Sequence, residues 1–575
     1  MRCLGLSGGY YHDAAACVFV DSRLVAFIEE ERLTRRRYAE GALPNRCVVA
    51  CLEDAGINLA DIDLIALSWN PDYPEPRTRI EPGHSLLGRL LPPDRFGRWN
   101  APVVVIDHQR SHGAAAYRTS GLNDALVVSV DGSGDGRSAA VYHGRNGCLI
   151  EVESYDITQS LGWFYQRVTT FLHLGHWQNA GKTMALAALG EPRFTFPFLD
   201  ISPGEGFRFT YPKNILPPAG ESLRAELRST FYKRQRDYLW THFQSLCPAG
   251  WQPPRPHFQR DTGEQIYAPP SRFACDLAAS AQRAVEEALL ALIARHLATR
   301  PFAGVCLGGG VMHNCKALGR IARRLPNHCR LYVSPVSGDS GGAIGAALEA
   351  MADVGSGADF AMTHAYWGPG FDDNVVEAVL RRVGAPVKTV ADPAAVAAEL
   401  VCAGQTVGWF QGRMEVGARA LGGRSILALP DRPDLSDQIN AAIKNREYWR
   451  PFSPSLTDAA TVARYWHAAG QVSPFMAIAL DAKNVAAPTA GVRHVDGTSR
   501  VQLLRPEDNL RYSRLIDAVG QTTGVPMVLN TSFNGRDEPI VCTPLDALRT
   551  FHSTALDAAV LGNCVLRKSA ASLRR

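Results

Sequence analysis

Little in this sequence points toward a membrane, a nucleic acid or an oxidising compartment. No apolar run is long enough to span a bilayer, and Met1-Arg2-Cys3-Leu4-Gly5 opens directly into a strand pattern, without a basic stretch followed by an apolar core. A cytoplasmic protein with no membrane partner is therefore expected. The net charge is only +4 over 575 residues, so an electrostatic hold on nucleic acid would have to be local, and no nucleic-acid partner is expected. The thirteen cysteines are scattered, odd in number and never spaced Cys-x2-Cys. That pattern argues against a disulfide framework and for a reduced interior. Cys47 and Cys51, at helical spacing, read as core packing. What remains is an ordinary globular composition, 46% apolar and 20% charged. At about 150 residues per domain, such a length suggests several units.

Against this plain background one stretch stands out, Asp107-His108-Gln109-Arg110-Ser111-His112-Gly113, between an apolar strand at 103–106 and a run of helix formers. On a helix His108 and His112 leave the same face one turn apart, which is a metal-ligand spacing as well as a common helix face. Asp131 and Asp339 each follow an apolar strand pattern. Two imidazoles with one or two carboxylates and open positions suit iron(II), zinc or manganese.

Residues 3–29 read as strand, glycine turn, strand, turn, strand, and residues 125–153 repeat that plan. Both first turns carry Gly and Asp, at 7–13 and 131–136. Two such halves suggest a duplicated α/β body closing over a nucleotide. The strand at 305–307 runs through Gly308-Gly309-Gly310 toward Asn314 and a helix, a pattern that brings backbone N–H groups and the positive helix end toward phosphate, or simply makes a tight turn. The run Asp339-Ser340-Gly341-Gly342 repeats it. Prolines, aromatics and charges crowd residues 204–273, which read as an insertion that either binds an acceptor or merely elaborates the surface. Gly355-Ser356-Gly357 and Gly368-Pro369 mark a linker at 353–369.

Beyond the linker a second α/β body is expected, with a central strand at 406–410. Cations and glycines then concentrate at 411–425, including Arg419 and Arg424, and at 444–455, including Lys444 and Arg450. A later loop carries Arg500, and Leu529-Asn530-Thr531-Ser532-Phe533-Asn534 lies near the end. Arginine forks grip phosphate or carboxylate oxygens at two points while lysine supplies a compact charge. Because these cations alternate with aromatics and prolines, a pocket for a small dianion is favoured over a solvated cationic face.

At these residues the sequence resembles the O-carbamoyltransferase family that includes tobramycin, cephalosporin and nodulation-factor carbamoyltransferases. The resemblance covers nearly the whole chain and is most specific at 412–425, 444–455 and 530–534. Tyr11-His12-Asp13, Glu29-Glu30-Glu31-Arg32 and Asn179-Ala180-Gly181-Lys182 support it. It implies an α/β protein with an actin-like ATPase domain at 1–352, similar to the threonylcarbamoyl-transfer enzymes of tRNA modification and carrying the 204–273 insertion. A YrdC-like adenylate-forming domain would follow at 370–575. It further implies His108, His112, Asp131 and Asp339 as ligands of iron(II) or another divalent ion. Lys444, Arg450, Arg500 and Ser532 would surround carbamoyl phosphate, with Asn530, Arg419 and Arg424 nearby, and Mg-bound ATP as co-substrate. Gly132, Gly309, Gly310 and Asn314 would hold the adenosine portion. Two departures occur: Gln109 stands where members often have a further histidine, and Ala418 where a proline commonly precedes the arginine.

The expected reaction is carbamoyl transfer, through carbamoyl-adenylate, to a hydroxyl of a secondary metabolite, with Lys444 and Arg450 activating and His12 as general base. An equal alternative is that His12 only orders the first turn with Asp13. The rivals are a tRNA threonylcarbamoyladenosine-type enzyme and a non-catalytic nucleotide and anion sensor. By similarity a homodimer is plausible.

Overall fold

The computed structural model describes residues 1–8, 12–69, 86–217, 225–253, 256–258, 265–267, 269–356, 360–468, 471–483 and 488–568. The Tyr11 and Gly357 of the motifs above lie outside them. Two compact units are resolved: Met1–Val25, Gly41–His257 and Ile266–Ala361 form the first; Ala26–Glu40, Phe258–Gln265 and Met362–Arg575 form the second. Among the described residues no helix is long and apolar enough to cross a membrane.

The first unit is built on two five-stranded sheets. One runs in space Arg23–Glu29, Ala15–Val20, Arg2–Ser7, Leu64–Leu67, Val103–Val105. The other runs Cys148–Asp156, Arg137–Arg145, Asp124–Gly134, Gly304–Gly308, Arg330–Val333. Each therefore places its third strand outermost, then the second, first, fourth and fifth. In each the first strand pairs antiparallel with the second and parallel with the fourth. This is the duplicated plan of an actin-like ATPase domain, and the apolar runs at 3–7 and 125–130 form its paired central strands.

The helix His108–Arg118 starts where Asp107 caps it, its side chain accepting from the Arg110 amide at 3.0 Å. Behind it packs the helix Gly342–Asp353, which follows directly on Asp339. The contact is backbone on backbone: a Cβ at Gly345 would lie 1.8 Å from the Ser111 carbonyl oxygen. Glu349, 1% exposed, clamps the same pair of helices by accepting from Arg110 and from Arg118, at 2.7 and 2.8 Å. Removing one partner of a buried ion cluster leaves uncompensated charge. Glu349→Ala should therefore destabilise this unit by about 3–5 kcal/mol, read as a lower denaturant midpoint; an unchanged midpoint would mean the clamp contributes nothing.

The 204–273 insertion leaves the strand plan between the third and fourth strands of the second half. Its described part holds the strand Gly206–Phe209, which pairs with Leu199–Ser202 just before it, and the helix Ala225–Ser245, packed through Phe209, Tyr211, Phe231 and Phe243 and against Phe198.

The second unit centres on an eight-stranded mixed sheet whose inner strands include Val407–Phe410, Arg424–Ala428 and Met527–Ser532. Both faces are covered. Val407, Trp409, Leu427 and Val528 enter one apolar cluster, whereas Phe410, Ile426 and Leu529 enter another.

Two boundaries differ from the expected ones. Residues from Met362 onward belong to the second unit rather than to a linker, because Ala365, Gly368 and Pro369 exchange backbone hydrogen bonds with Met414 and Val416. Ala26–Glu40 also belongs to the second unit although it continues a strand of the first. Glu29 accepts from the Gly417 amide at 3.2 Å, and Arg32 donates to the Gly417 carbonyl at 2.8 Å. Neither boundary is legible locally, since both depend on partners distant in the chain.

Candidate functional site

In the first unit the strand Asp124–Gly134 delivers Asp131, the helix His108–Arg118 delivers both imidazoles, and the turn before the helix Gly342–Asp353 delivers Asp339. Their reactive atoms converge. His108 Nε2 lies 3.1 Å from His112 Nε2, 3.1 Å from Asp131 Oδ2 and 3.7 Å from Asp339 Oδ1; His112 Nε2 lies 3.6 and 3.4 Å from the same two oxygens. Ligands about 2.0–2.2 Å from a tetrahedral ion stand roughly 3.3–3.6 Å from one another. The four atoms therefore fit a divalent cation, and two imidazoles with two carboxylates form a chemically apt set. Gly134 makes room for this, because a Cβ there would fall 2.1 Å from the His108 ring.

Charge binds the cluster internally. Burial by itself would lower the His108 pKa, but Asp339 and Asp131 outweigh it and push the imidazole up to about 10. Burial would raise Asp131, yet hydrogen bonds from both imidazoles hold it well below the usual carboxylate range. An incoming cation must thus expel a proton from His108 at any pH below about 10, while Asp131 stays ionised. Divalent-ion affinity should accordingly weaken as pH falls, by roughly tenfold per pH unit for each proton expelled. Titration calorimetry at several pH values checks this, and a pH-independent affinity would contradict it.

His12 sits beside the same acids, its Nδ1 3.0 Å from Asp13 Oδ2 and 3.6 Å from Asp339 Oδ2, with its ring against Trp177 at a centroid distance of 4.1 Å. Burial works against its proton, but the Asp13 hydrogen bond and the Asp339 charge prevail and raise it to about 9. Sequence reasoning does not select Asp13 or Trp177 as site residues. Their neighbours in the chain signal nothing about the shared position of Asp339.

The glycine turns shape this cluster. Gly309 has φ +91°, and a Cβ there would meet the Val130 carbonyl at 2.2 Å. Gly310 donates its amide to Asp131 Oδ1 at 3.1 Å, orienting a candidate ligand. Gly132 packs beside Trp163. Asn314 caps the helix Cys315–Ala322 and exchanges two amide hydrogen bonds of 2.9 Å with Gln282.

In the second unit, a π-helical turn at Ile439–Ile443 leads directly into Lys444. This ammonium, 4% exposed, donates to the Ser532 carbonyl, to Asn534 Oδ1 at 2.6 Å and to the Asn534 carbonyl at 3.0 Å, and lies 3.3 Å from Ser532 Oγ. Burial foremost, then the Arg446, Arg450 and Arg37 guanidiniums, hold Lys444 well below the usual ammonium range. Arg450 lies 3.6 Å from Glu447, and Arg500 donates to Ser453 Oγ at 3.2 Å. The fold thus gathers Lys444, Arg450 and Ser532, with Arg500 charge also felt at Arg450. Arg446 and Asn534 join them; both lie within the marked stretches 444–455 and 530–534, although sequence reasoning singles out neither.

Arg424 goes elsewhere. It is fully buried, donates to the carbonyls of Gln411, Gly423, Pro369 and Gly412, and stacks 3.7 Å over Phe410. Its two terminal nitrogens are spent on tying the loop down, and its Nε is buried. Glu415 completes that loop by accepting from the amides of Leu421, Gly423 and Arg424. Arg419 is half-buried on the same loop. Asn530, 2% exposed, donates to Ala420 O and Ser455 Oγ, and its own Oδ1 is buried with no hydrogen-bond partner.

Comparison with known proteins finds relatives of both units. The family described as Carbamoyltransferase N-terminus matches residues 2–81 and 95–348, and Carbamoyltransferase C-terminus matches residues 398–568. The chain is 32% identical to nodulation protein NolNO of Sinorhizobium fredii, over all of this chain and 83% of that protein. It is 30% identical to the uncharacterized protein sll1178 of Synechocystis, over 99% of this chain and 97% of that one. A 3'-hydroxymethylcephem-O-carbamoyltransferase of Amycolatopsis lactamdurans is 29% identical over 45% of this chain and 47% of its own length.

Proposed function

The chain belongs to the carbamoyltransferase family, and from that membership we propose that it is an ATP-dependent O-carbamoyltransferase that moves the carbamoyl group of carbamoyl phosphate to a hydroxyl of a secondary metabolite. The observation that carries this reading is the Lys444 ammonium, buried beside guanidiniums whose charges oppose its own. Gathering desolvated like charges is costly unless an anion enters among them, so the second unit is suited to a phosphorylated ligand.

At that pocket, which this reading assigns to a YrdC-like domain, carbamoyl phosphate loses phosphate to water, leaving carbamate. A carbamate oxygen then takes the α-phosphoryl group of ATP, supplied with Mg, and pyrophosphate leaves. Lys444, Arg450 and Arg500 offset charge on the phosphoryl oxygens, and Ser532 and Asn530 orient the carbamate. The carbamoyl-adenylate is consumed at the first unit, where Gly132, Gly309, Gly310 and Asn314 receive its adenosine portion. His108, His112, Asp131 and Asp339 would hold iron(II) or another divalent ion, which when bound supplies Lewis-acid polarisation. His12 takes the proton of the acceptor hydroxyl, the new C–O bond forms, and AMP departs. For His12 to act as a base near neutral pH, the hold of Asp13 foremost, and then of Asp339, on its proton must be relieved.

Incubation with ATP, carbamoyl phosphate and a panel of hydroxylated acceptors, sugars included, tests the reading. Pyrophosphate release and a product heavier by one carbamoyl group are expected. Binding of both ligands without pyrophosphate release would instead make the protein a sensor.

A further inference from the structure

We infer that Arg37, on the segment Ala26–Glu40, is a further phosphoryl-binding residue of the Lys444 pocket. The inference rests on the proposed reading of that pocket and adds to it a side chain from the opposite end of the sequence.

The segment is fastened to the parts of the second unit that build the pocket. Arg32 and Glu29 grip Gly417, within the loop that carries Arg419. Arg35 donates to the carbonyls of Pro539 and Ile540 at 2.7 and 2.6 Å. Those residues follow Glu538, whose carbonyl accepts from Asn534 Nδ2 at 2.6 Å, and Asn534 Oδ1 in turn accepts from Lys444. The chain between Arg35 and Ala39 is thus held within one hydrogen-bonded frame with the lysine.

That short span is also strained. Arg35, Tyr38 and Ala39 have φ of 59°, 60° and 46°, a region that residues with a side chain seldom occupy. Such conformations persist where the surroundings enforce them and gather at functional sites. Here they present Arg37 outward: it is exposed, its guanidinium rests 5.0 Å over the Tyr38 ring and donates to the Tyr38 hydroxyl at 3.0 Å. Among the described residues no ion pair forms between Arg37 and a carboxylate, whereas Arg32 pairs with Glu29 and Glu31, and Arg35 with Asp546. The Arg37 charge nevertheless reaches Lys444 and Arg450, opposing the proton on each. An arginine with no carboxylate partner among the described residues, on a bent segment fastened into the same hydrogen-bonded frame as the buried Lys444 and the half-buried Arg450, is suited to a two-point grip on phosphoryl oxygens.

Those oxygens belong either to carbamoyl phosphate or to ATP, and kinetics separate them. Pyrophosphate release is measured for Arg37→Ala, Arg37→Lys and Arg36→Ala while each substrate is varied in turn. Arg37→Ala is expected to raise KM for one of the two by roughly 10- to 100-fold, the range lost with a charge-assisted hydrogen bond. Carbamoyl phosphate is the source if its KM moves, and ATP if the other does. Arg37→Lys should recover part of the loss, and Arg36→Ala should match the parent. Parental KM values for both substrates in Arg37→Ala, in a protein where Lys444→Ala has lost activity, would overturn the inference and leave the pocket standing. A fully active Lys444→Ala would remove the pocket and the inference together.

Discussion

Lys444→Ala lowers pyrophosphate release from ATP and carbamoyl phosphate by roughly 100- to 1,000-fold, the loss that follows when one preorganised donor to developing charge is removed. The side chain is suited to so large an effect because water cannot replace it: it is 4% exposed and reaches its position through the π-helical turn that precedes it. It also ties Ser532 to Asn534, so its loss loosens both residues. The cost should fall on chemistry more than on folding. Burial and the neighbouring guanidiniums hold its pKa below the ordinary ammonium value. A lysine so depressed opposes folding fully at pH below its native pKa, and that opposition fades as pH rises from there to the ordinary lysine range. The variant should therefore fold and take up a divalent ion as the parent does. Parental pyrophosphate release would show that the activation pocket lies elsewhere.

Asp131→Asn produces the complementary defect. The carboxylate meets His108, His112 and the Gly310 amide together. An amide retains the shape and one acceptor but loses the charge that keeps both imidazoles facing inward. Divalent-ion affinity should drop by more than the roughly 10- to 100-fold that outer-shell changes cost, and carbamoyl transfer should fall with it. Pyrophosphate release should persist if activation takes place, as proposed, at Lys444 in the other unit. Metal content after dialysis, pyrophosphate and carbamoylated product are the three readouts. Full metal content with full transfer would contradict the assignment of Asp131 as a ligand.

The residues behind these two variants differ in how legible they are in the sequence. The pair His108 and His112 is visible because helical spacing is local, and Asp131 and Asp339 are visible because each follows an apolar run, although Asp131 lies within the strand Asp124–Gly134 and Asp339 in a turn beyond the strand Arg330–Val333. Their approach to within 3.1–3.7 Å of the imidazoles shows that the helix presents its histidine face to the strand ends. The cations are harder to tell apart. Arg424 and Lys444 are both basic residues set among glycines, aromatics and prolines, yet one is spent on four backbone carbonyls and the other ties Ser532 to Asn534. Nothing in their spacing separates them, since burial and partner choice are properties of the packed chain.

Local sequence patterns suffice for the repeated strand–turn–strand plan, for a second α/β body beyond residue 370 and for the ligand-like spacing on one helix. Each follows from period-2 or period-3.6 patterns and strand-end residues that act over a few positions. Packing of the whole chain settles the rest: Ala26–Glu40 joins the second unit, 362–369 is packed rather than slack, and Asn534 stands with Lys444. Those outcomes depend on ion pairs and backbone hydrogen bonds between residues as many as 505 positions apart, and no local pattern encodes which distant partner will close them.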